Sequence, residues 1–414
     1  MKTREMMKTG AIGIALLLST GAAGLDEEFS PALTHSLLGS IENPAALVEE
    51  KKLTVGAQLA VESPDLRSLG QGSGGGALPA DNYDYGNAGA LRSTSFRAHV
   101  PVPYGIHLGV SGSLPGDFLR LHVPSGGERS YLRYTERNQK PEVSTGLGLA
   151  LPLGFSVGGG IYHSVEAKGK VQIAAAGDGI HGRALVDASP VQIPYYGLRW
   201  QGRWGRHRLA LDGSYRGASD TEASFDAEVI ADVDVGTLPL DASAGLALFY
   251  EPAVRRLGLA YQLASWGLWL GYEEEEWSAY KAPFFSLVNT LTEVAEQEAV
   301  VLQDSRTLRV AAGHRLDLTP TAAGSVILGF SRRSSALPGT PGSLAIIDVP
   351  EEVYTLATRL VLKKTAADPE PGAGILLSLQ DRVLLDRTLN QAGIDTVRAG
   401  GRIRTWTAGV DFTL

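Results

Sequence analysis

The sequence predicts an all-β protein, a transmembrane antiparallel β-barrel of about 14 strands. Segment after segment alternates apolar and polar residues, as strands with two different faces do. The links between these segments are alternately long and short, a pattern typical of barrel strands joined by tight turns on one side and loops on the other. After the N-terminus no apolar run reaches the roughly 20 residues that a spanning helix needs, so the pattern favours strands.

The last stretch of the chain, Arg402 to Leu414, shows the alternation most clearly. One face of this predicted strand carries Trp406, Ala408, Val410, Phe412 and Leu414, and the other carries Thr405, Thr407, Gly409, Asp411 and Thr413. In a barrel the apolar face would meet lipid and the small polar face would line the interior. An edge strand of a soluble β-sandwich is the alternative, but it would need another element to cover the apolar face.

The first 24 residues have the order of features of a secretory signal peptide. Lys2, Arg4 and Lys8 precede an apolar run from Ala11 to Leu18, and small residues follow at 21–24. The apolar run is too short to span a membrane. We therefore expect residues 1–24 to be a signal peptide and the mature chain to be exported.

The alternation divides the remaining chain into strands and links. The predicted strands are 52–62, 92–102, 104–114, 143–151, 154–166, 193–204, 206–218, 242–251, 254–277, 306–318, 324–334, 353–364, 373–385 and 402–414. The long links are 63–91, 115–142, 167–192, 219–241, 278–305, 335–352 and 386–401. Because the number of strands is even, the start of the first strand and the end of the last strand are both expected on the periplasmic side.

The predicted strand 254–277 is longer than the others and changes phase along its length. Its first apolar residues are Leu257, Leu259, Tyr261 and Leu263, whereas Trp266, Leu268, Leu270 and Tyr272 have the opposite parity. We therefore predict a β-bulge near Ala264 and Ser265. A turn at this point would change the strand assignment.

Composition and motifs argue against several classes of function. The net charge of −8 and the lack of a basic cluster argue against nucleic-acid binding. Gly70, Gly72 and Gly75 have GxGxxG spacing, but no helix follows them, so an outside loop is favoured over a dinucleotide site. The eight histidines have no metal-binding spacing and no serine lies in a GxSxG turn. We expect no cofactor, no metal and no enzymatic activity.

One predicted outside loop is unusually apolar. Phe284, Leu287, Val288 and Leu291 recur at spacings of three and four with glutamates opposite, which predicts an amphipathic helix within 284–302. An apolar stripe is seldom left in water. It would either contribute to a ligand-capturing groove at the barrel mouth or pack against neighbouring loops.

Several short stretches resemble those of a known family. They are ENPAAL at Glu42 to Leu47, just ahead of LTVGAQLAV; the paired strands around FRAHVPVPYGIHLGVSG; ILGFSRRSSALPG; and the final GGRIRTWTAGVDFTL. In these features the chain resembles the FadL family of outer-membrane long-chain fatty-acid and hydrocarbon transporters. It departs from the family at Leu414, where such barrels commonly end in an aromatic residue, and in its outside loops, which leaves the ligand open.

The resemblance implies a hatch folded inside the barrel lumen, capture of apolar ligands by outside loops and lateral release through the barrel wall. The hatch would be residues 25–51, with Asn43 and Pro44 in its turn, and the barrel would be residues 52–414. A gap in the wall would belong to the third strand. Gly109 makes a kink there plausible because glycine weakens strand pairing.

The same argument applies to Gly112, the second glycine of the predicted gap. The interior arginines have two candidate roles. Arg309, Arg315 and Arg359 could contact a ligand carboxylate. Alternatively they form ion pairs within the wall. The candidate partners are Asp212, Asp317 and Asp411.

The resemblance therefore implies a passive transporter of hydrophobic small molecules, integral to the outer membrane of a Gram-negative-type cell. Its expected partners are hydrophobic small molecules, outer-membrane lipid and, during biogenesis, the barrel-assembly machinery. Two alternatives remain open. One is a FadL-like structural or assembly barrel that partners a secretion or conjugation system, and the other is a general porin.

Overall fold

The computed structural model describes most of the predicted barrel and the segment just before it. The described residues are 42–72, 90–116, 130–131, 141–176, 179–218, 224–233, 236–246, 251–280, 285–289, 301–339, 346–363, 371–390 and 395–413. The predicted signal peptide, the predicted hatch up to residue 41, and Leu414 lie outside them.

Strands make up nearly all of the described chain. They are β1 (Thr54–Gly72), β2 (Leu91–Val102), β3 (Ile106–Pro115), β4 (Ser130–Tyr131), β5 (Glu142–Ala150), β6 (Phe155–Ala176), β7 (Gly179–Trp204), β8 (His207–Arg216), β9 (Ser224–Val233), β10 (Gly236–Leu246), β11 (Val254–Leu263), β12 (Trp266–Glu275), β13 (Phe285–Asn289), β14 (Ser305–Thr319), β15 (Ala322–Arg333), β16 (Ile346–Ile347), β17 (Glu351–Lys363), β18 (Pro371–Asn390) and β19 (Asp395–Thr413). None of the described helices is long and apolar enough to cross a membrane.

Fourteen of these strands form one closed antiparallel barrel. Each pairs with the next in the order β1, β2, β3, β5, β6, β7, β8, β11, β12, β14, β15, β17, β18, β19. The last strand then pairs with the first, from Thr54 with Thr413 to Gly72 with Asp395. The predicted fold class and strand number are confirmed.

One end of the barrel carries tight turns. Tyr104 and Leu153 stand in the middle of two Pro-X-Gly turns with φ angles of 68° and 63°, and each turn joins two neighbouring barrel strands. Thr54 at the start of β1 and Thr413 at the end of β19 pair at this same end. This is the arrangement expected of the periplasmic side of an outer-membrane barrel.

Two predicted strands are wrong, and the errors offset each other in the count. The segment 254–277 is not one bulged strand but a hairpin of β11 and β12, which turns at Ala264 with a φ of 54°. The left-handed conformation is uncommon for alanine, so the sequence lacked the usual glycine or asparagine signal of a tight turn. The predicted strand 242–251 is not in the barrel, since its first half belongs to β10, which pairs with β9 and β13.

Three predicted long links are largely strand. Most of 219–241 belongs to β9 and β10, which pair with each other. Most of 167–192 belongs to β6 and β7, which pair as one hairpin as far as Ala176 and Gly179. Most of 386–401 belongs likewise to β18 and β19. The sequence pattern marked only the part of each strand whose regular alternation fits a lipid-facing surface.

The first part of the predicted helix within 284–302 is wrong, because it is a strand. Leu287 and Val288 lie in β13, which pairs antiparallel with β10. Phe284 and Leu291 lie outside the described residues. A short apolar run fits a strand and a helix turn equally well, and here pairing with a neighbouring segment decided the outcome.

The two faces of the barrel differ in chemistry. Large apolar side chains point outward, for example Leu257, Leu308 and Trp406, with exposed fractions of 63%, 64% and 58%. Charged residues that alternate with them, such as Arg309 and Arg359, are buried inside. An apolar outer face on a closed barrel is suited to lipid, and the protein is integral to the outer membrane.

A compact apolar cluster lies at the outer end of the barrel. Its members include Leu66, Trp277, Leu302, Leu337, Ile347, Leu389 and Ile403, from barrel strand ends and from the links after β12 and β15. Arg333 holds the second link in place through two hydrogen bonds to Asp348, of 2.9 and 3.1 Å, and an ion pair with Glu351 at 3.1 Å. The outer links are therefore packed structure rather than open loops in this region.

The closing strand gives a test of the fold. Because β19 is the partner of both β1 and β18, deleting residues 402–413 should leave two unpaired edges. We expect the full chain to migrate as a folded, heat-modifiable band in detergent gels and to show a strand-dominated circular dichroism spectrum. The truncated chain should lose the folded band. A folded band that survives truncation would contradict barrel closure through β19.

Candidate functional site in the barrel lumen

A short 3-10 helix, Pro44–Glu49, lies inside the barrel and is called the lumen helix. Asn43 starts it, since the Asn43 side-chain oxygen accepts a hydrogen bond of 3.1 Å from the Ala45 N–H. Pro44 at the first position suits a helix start because it has no N–H to satisfy. Asn43 and Pro44, the predicted hatch turn, are thus the start of this helix, and Ala45 and Leu47 are fully buried.

The wall beneath the lumen helix is made of glycine. The glycine patch consists of Gly109 on β3, Gly146 and Gly148 on β5, Gly158 on β6 and Gly197 on β7. A Cβ atom added to Gly148 would lie 2.7 Å from the Pro44 carbonyl oxygen, and one added to Gly158 would lie 2.5 Å from the Ala45 nitrogen. These distances leave no room for a side chain, so the helix backbone lies directly on the wall.

Polar side chains hold the helix on this patch. Ser156 Oγ donates to the Ala45 carbonyl oxygen at 2.9 Å. Arg199 bridges the helix to the wall, with one nitrogen 2.7 Å from Glu49 and another 2.6 Å from Asp212. Arg208 adds a contact of 3.1 Å to the same Glu49 oxygen. The end of the helix is therefore fixed by charges that come from β7 and β8.

The residue after the helix, Glu50, is held by a second group of charges. It forms an ion pair with Arg97, and its Oε2 lies 3.2 Å from His99 Nδ1. Burial raises the pKa of the Glu50 carboxyl, and the nearby Arg97 guanidinium opposes that rise. A buried ion pair adds little net stability, but loss of one partner leaves the other charge buried and unpaired, which costs about 3–5 kcal/mol. These pairs therefore specify where the chain lies.

On its other side the lumen helix borders a cavity of about 120 Å³. Asn43 and Ala46 line it from the helix, and Ala260 and Trp269 line it from the wall. Ala260 and Trp269 belong to an apolar belt that takes one inward residue from each of six neighbouring strands. Its members are Ala210, Ala260, Trp269, Ala311, Ile327 and Ala357. The cavity therefore has apolar surface on its wall side.

Charged residues around the cavity are already paired. Glu273 accepts two hydrogen bonds from Arg309, of 3.0 and 3.1 Å, and one of 2.6 Å from Arg256. Arg256 also lies 3.6 Å from Glu42. A neutral guest would leave these pairs intact, whereas a carboxylate would have to compete with Glu273.

The predicted carboxylate contacts occupy three different places. Arg309 is paired with Glu273 beside the cavity. Arg359 donates a hydrogen bond of 2.7 Å to Asp411, and neither of these two residues lines the cavity. Arg315 lies 3.7 Å from Asp317 near a tight turn. The three arginines are thus engaged by wall carboxylates, and the structure does not bring them together as one anion site.

The predicted gap in the third strand has an intact wall in this structure. Gly109 pairs with His99 and Gly146, and Gly112 pairs with Phe96 and Val143. Gly109 faces inward, where an added Cβ would lie 2.6 Å from Leu47 Cδ2. Its neighbour Gly112 is covered by the Phe96 ring, 2.5 Å from an added Cβ. Both glycines therefore serve close packing in the state described.

Sequence reasoning missed the glycine patch and the apolar belt. Gly146, Gly148 and Gly158 share the inward parity of their strands, so the periodicity did contain a signal for a side-chain-free wall. Trp269 carried no such signal, because only the fold shows that four alanines and an isoleucine surround it. Within the described residues no group of three or more His, Asp or Glu side chains could hold a metal ion.

Taken together, the fold and the site define a 14-stranded outer-membrane barrel with a chain segment packed in its lumen. No protein-family model and no curated protein matches the sequence. Solved structures do match. A FadL homologue from Pseudomonas aeruginosa aligns with a TM-score of 0.59 and 12% identity, over 96% of this chain and 100% of that one.

Two further matches are named hydrocarbon channels. The toluene transporter TodX of P. putida aligns with a TM-score of 0.55 and 14% identity over 96% of this chain and 99% of that one. The monoaromatic hydrocarbon channel CymD aligns with a TM-score of 0.52 and 12% identity over 90% and 91%. The chain therefore has the FadL-type fold, which confirms the predicted resemblance at the level of the fold.

Two neighbouring glycines provide a matched test of the glycine patch. Gly158→Val should push the lumen helix off the wall, because the new side chain would overlap Pro44 and Ala45. Gly159→Val is the control, since an added Cβ there points away from the lumen helix and meets nothing closer than Tyr196 at 3.6 Å. We expect a higher single-channel conductance in planar bilayers for Gly158→Val, and parental conductance for the control. Equal conductance of the two variants would count against the patch.

Proposed function

We propose that the protein is a passive outer-membrane channel for small hydrophobic molecules. The observation that carries this proposal is the cavity between the lumen helix and the apolar belt, where Trp269 and Ala260 offer apolar surface beside the paired charges of the lumen. An apolar guest gains about 0.8 kcal/mol for each buried CH₂ group, so it enters from water without an energy source. The structural neighbours, which are transport channels, support a role in transport rather than catalysis.

The substrates we propose are hydrocarbons or long-chain fatty acids, with neutral hydrocarbons favoured. The neighbours named for toluene and monoaromatic hydrocarbons support this choice. So does the pairing of Arg309 and Arg256 with Glu273, because a fatty-acid carboxylate would have to displace it. Capture would begin at the outer segments, among them β13 with Leu287 and Val288.

We also propose that the guest leaves sideways through the wall at β3. Movement of the lumen helix would uncover Gly109 and its neighbours in the glycine patch, where no side chains reinforce the strands. The wall at β3 is closed while Leu47 covers Gly109, so release would follow helix movement. The guest would then pass from a protein surface directly into lipid without crossing water.

The size of the cavity gives the first test of this function. Ala260→Leu fills space beside Trp269, and Leu268→Phe is a control that adds bulk on the outer, lipid-facing side of β12. A misfit of about 1.4 kcal/mol changes a rate tenfold, so we expect toluene uptake to fall by roughly that factor only in Ala260→Leu. Uptake would be measured in cells with equal amounts of each heat-modifiable barrel.

The same assay separates the alternatives. A general porin would admit a small polar solute such as glycerol as fast as toluene and would not respond to Ala260→Leu. An assembly barrel would transport neither. Either result, with folded protein in the membrane, would overturn the proposed transport.

Lateral release is tested by joining β3 to its neighbour. Val110 and Thr145 are paired across β3 and β5, so cysteines at both positions can be linked by a disulfide or a short thiol crosslinker. The chain has no native cysteine to interfere. We expect the link to stop toluene uptake and reduction to restore it. A control link between Leu259 and Leu270, paired across β11 and β12, should have no effect.

Unchanged uptake with the β3–β5 link in place would contradict release at this site. Loss of uptake with both links would instead indicate that the whole barrel must deform.

A further inference from the structure

Two adjacent turns on the periplasmic rim of the barrel have the same sequence pattern. Residues 102–106 read VPYGI and join β2 to β3, and residues 151–155 read LPLGF and join β5 to β6. The turns lie side by side because β3 pairs with β5. Their central residues, Tyr104 and Leu153, are called the turn tips, and none of the roles described above uses them.

The turn tips are large apolar residues in a backbone conformation that does not favour them. Tyr104 is 94% exposed and Leu153 is 86% exposed. Both have left-handed φ angles, which glycine adopts without strain and which a Cβ atom disfavours. The turns at Gly205 and Ala264 have the same conformation with little or no side chain. A turn of this kind therefore does not need a large side chain, so the reason for these two residues lies outside the turn.

The strands that end in these two turns carry no charge near the rim. Residues 98–116 and 143–165 contain no Asp, Glu, Lys or Arg. Val100, Leu108 and Leu147 are paired across β2, β3 and β5, and all three are exposed on the outer face of the barrel. The apolar outer surface thus continues toward the turn tips, with no charged side chain to keep them in water.

Other described turns of the same rim have polar tips. Arg206 follows Gly205 in the turn between β7 and β8, and Thr321 lies in the turn between β14 and β15. Both side chains are exposed. The large apolar tips therefore belong to one side of the rim, at β2, β3, β5 and β6.

We propose that the turn tips insert into the lipid leaflet that faces the periplasm and anchor the ends of β3 and β5 there. Tyr104 suits this place because its ring is apolar and its hydroxyl can meet a headgroup. Insertion also removes the Leu153 side chain from water, which is favourable. The tips extend a surface that is already in lipid, which favours lipid over a periplasmic protein as the partner.

The anchor is independent of transport, because it depends only on the turns and the bilayer. It does bear on the release proposed above. A guest that leaves between β3 and β5 enters the leaflet in which the anchor lies, beside strands whose ends are held in lipid.

A fluorophore at each turn tip measures its depth in the bilayer. The chain has no cysteine, so Tyr104→Cys and Leu153→Cys each carry a nitrobenzoxadiazole label at one position, and Thr321→Cys carries it at a polar turn. Folded, heat-modifiable protein is placed in nanodiscs of phosphatidylethanolamine and phosphatidylglycerol. We expect a lipid with a nitroxide on its acyl chain to quench the label at either turn tip severalfold more than at position 321. Aqueous iodide should give the reverse order.

The native side chain is tested by a second substitution at the other tip. Tyr104→Asn, combined with the label at position 153, removes the apolar ring, while asparagine keeps the left-handed turn. We expect the nitroxide lipid to quench this label less than in the protein with Tyr104, and iodide to quench it more. The label at position 321 is the control, and Tyr104→Asn should leave it unchanged.

Two results would overturn the anchor. Iodide quenching at the turn tips as strong as at position 321 would place them in water, and a periplasmic protein would then be the partner to test. Equal quenching of the label at position 153 with and without Tyr104 would mean that the label, and not the native residue, reaches the lipid. Neither measurement involves toluene uptake, so the anchor and the proposed function can fail separately.

Discussion

The close approach of the lumen helix to the barrel wall is the contact on which the rest of the site depends. Backbone atoms of Pro44 and Ala45 occupy the space that side chains of Gly148 and Gly158 would fill. Only a run of inward-facing glycines on adjacent strands allows this, because every other residue carries a Cβ atom.

The charges then determine which way the helix lies on the patch. Glu49 is directed toward Arg199 and Arg208, whereas Glu50 is directed toward Arg97 and His99. These consecutive acids are paired with strands on opposite sides of the patch. The chain therefore cannot slide without leaving a buried charge unpaired. The side of the helix away from the patch is left to face the apolar belt, and the cavity forms there because Ala260 is small beside Trp269.

Much of the fold followed from the sequence because lipid imposes a strict two-residue period on a barrel strand. That period does not show where a strand ends in a turn or which other strand a segment pairs with. Ala264 makes a turn without glycine, and the residues from 242 pair with other outer segments rather than with the barrel. Of the site, Asn43 and Pro44 were located through a resemblance. The ion pairs were not, because which arginine meets which carboxylate depends on strand order and register, which no local pattern contains.

The central claim is that the lumen helix on the glycine patch controls passage through the barrel. Cysteines in place of Pro44 and Gly146 would test it most directly, since the two Cβ positions are 3.4 Å apart, close to the roughly 3.8 Å typical of disulfides. The measurement is toluene uptake by this one protein before and after reduction, with each single-cysteine variant as control. The account predicts that the oxidised form does not transport and that reduction restores transport. Equal uptake by the oxidised and reduced forms, with the disulfide verified, would contradict it.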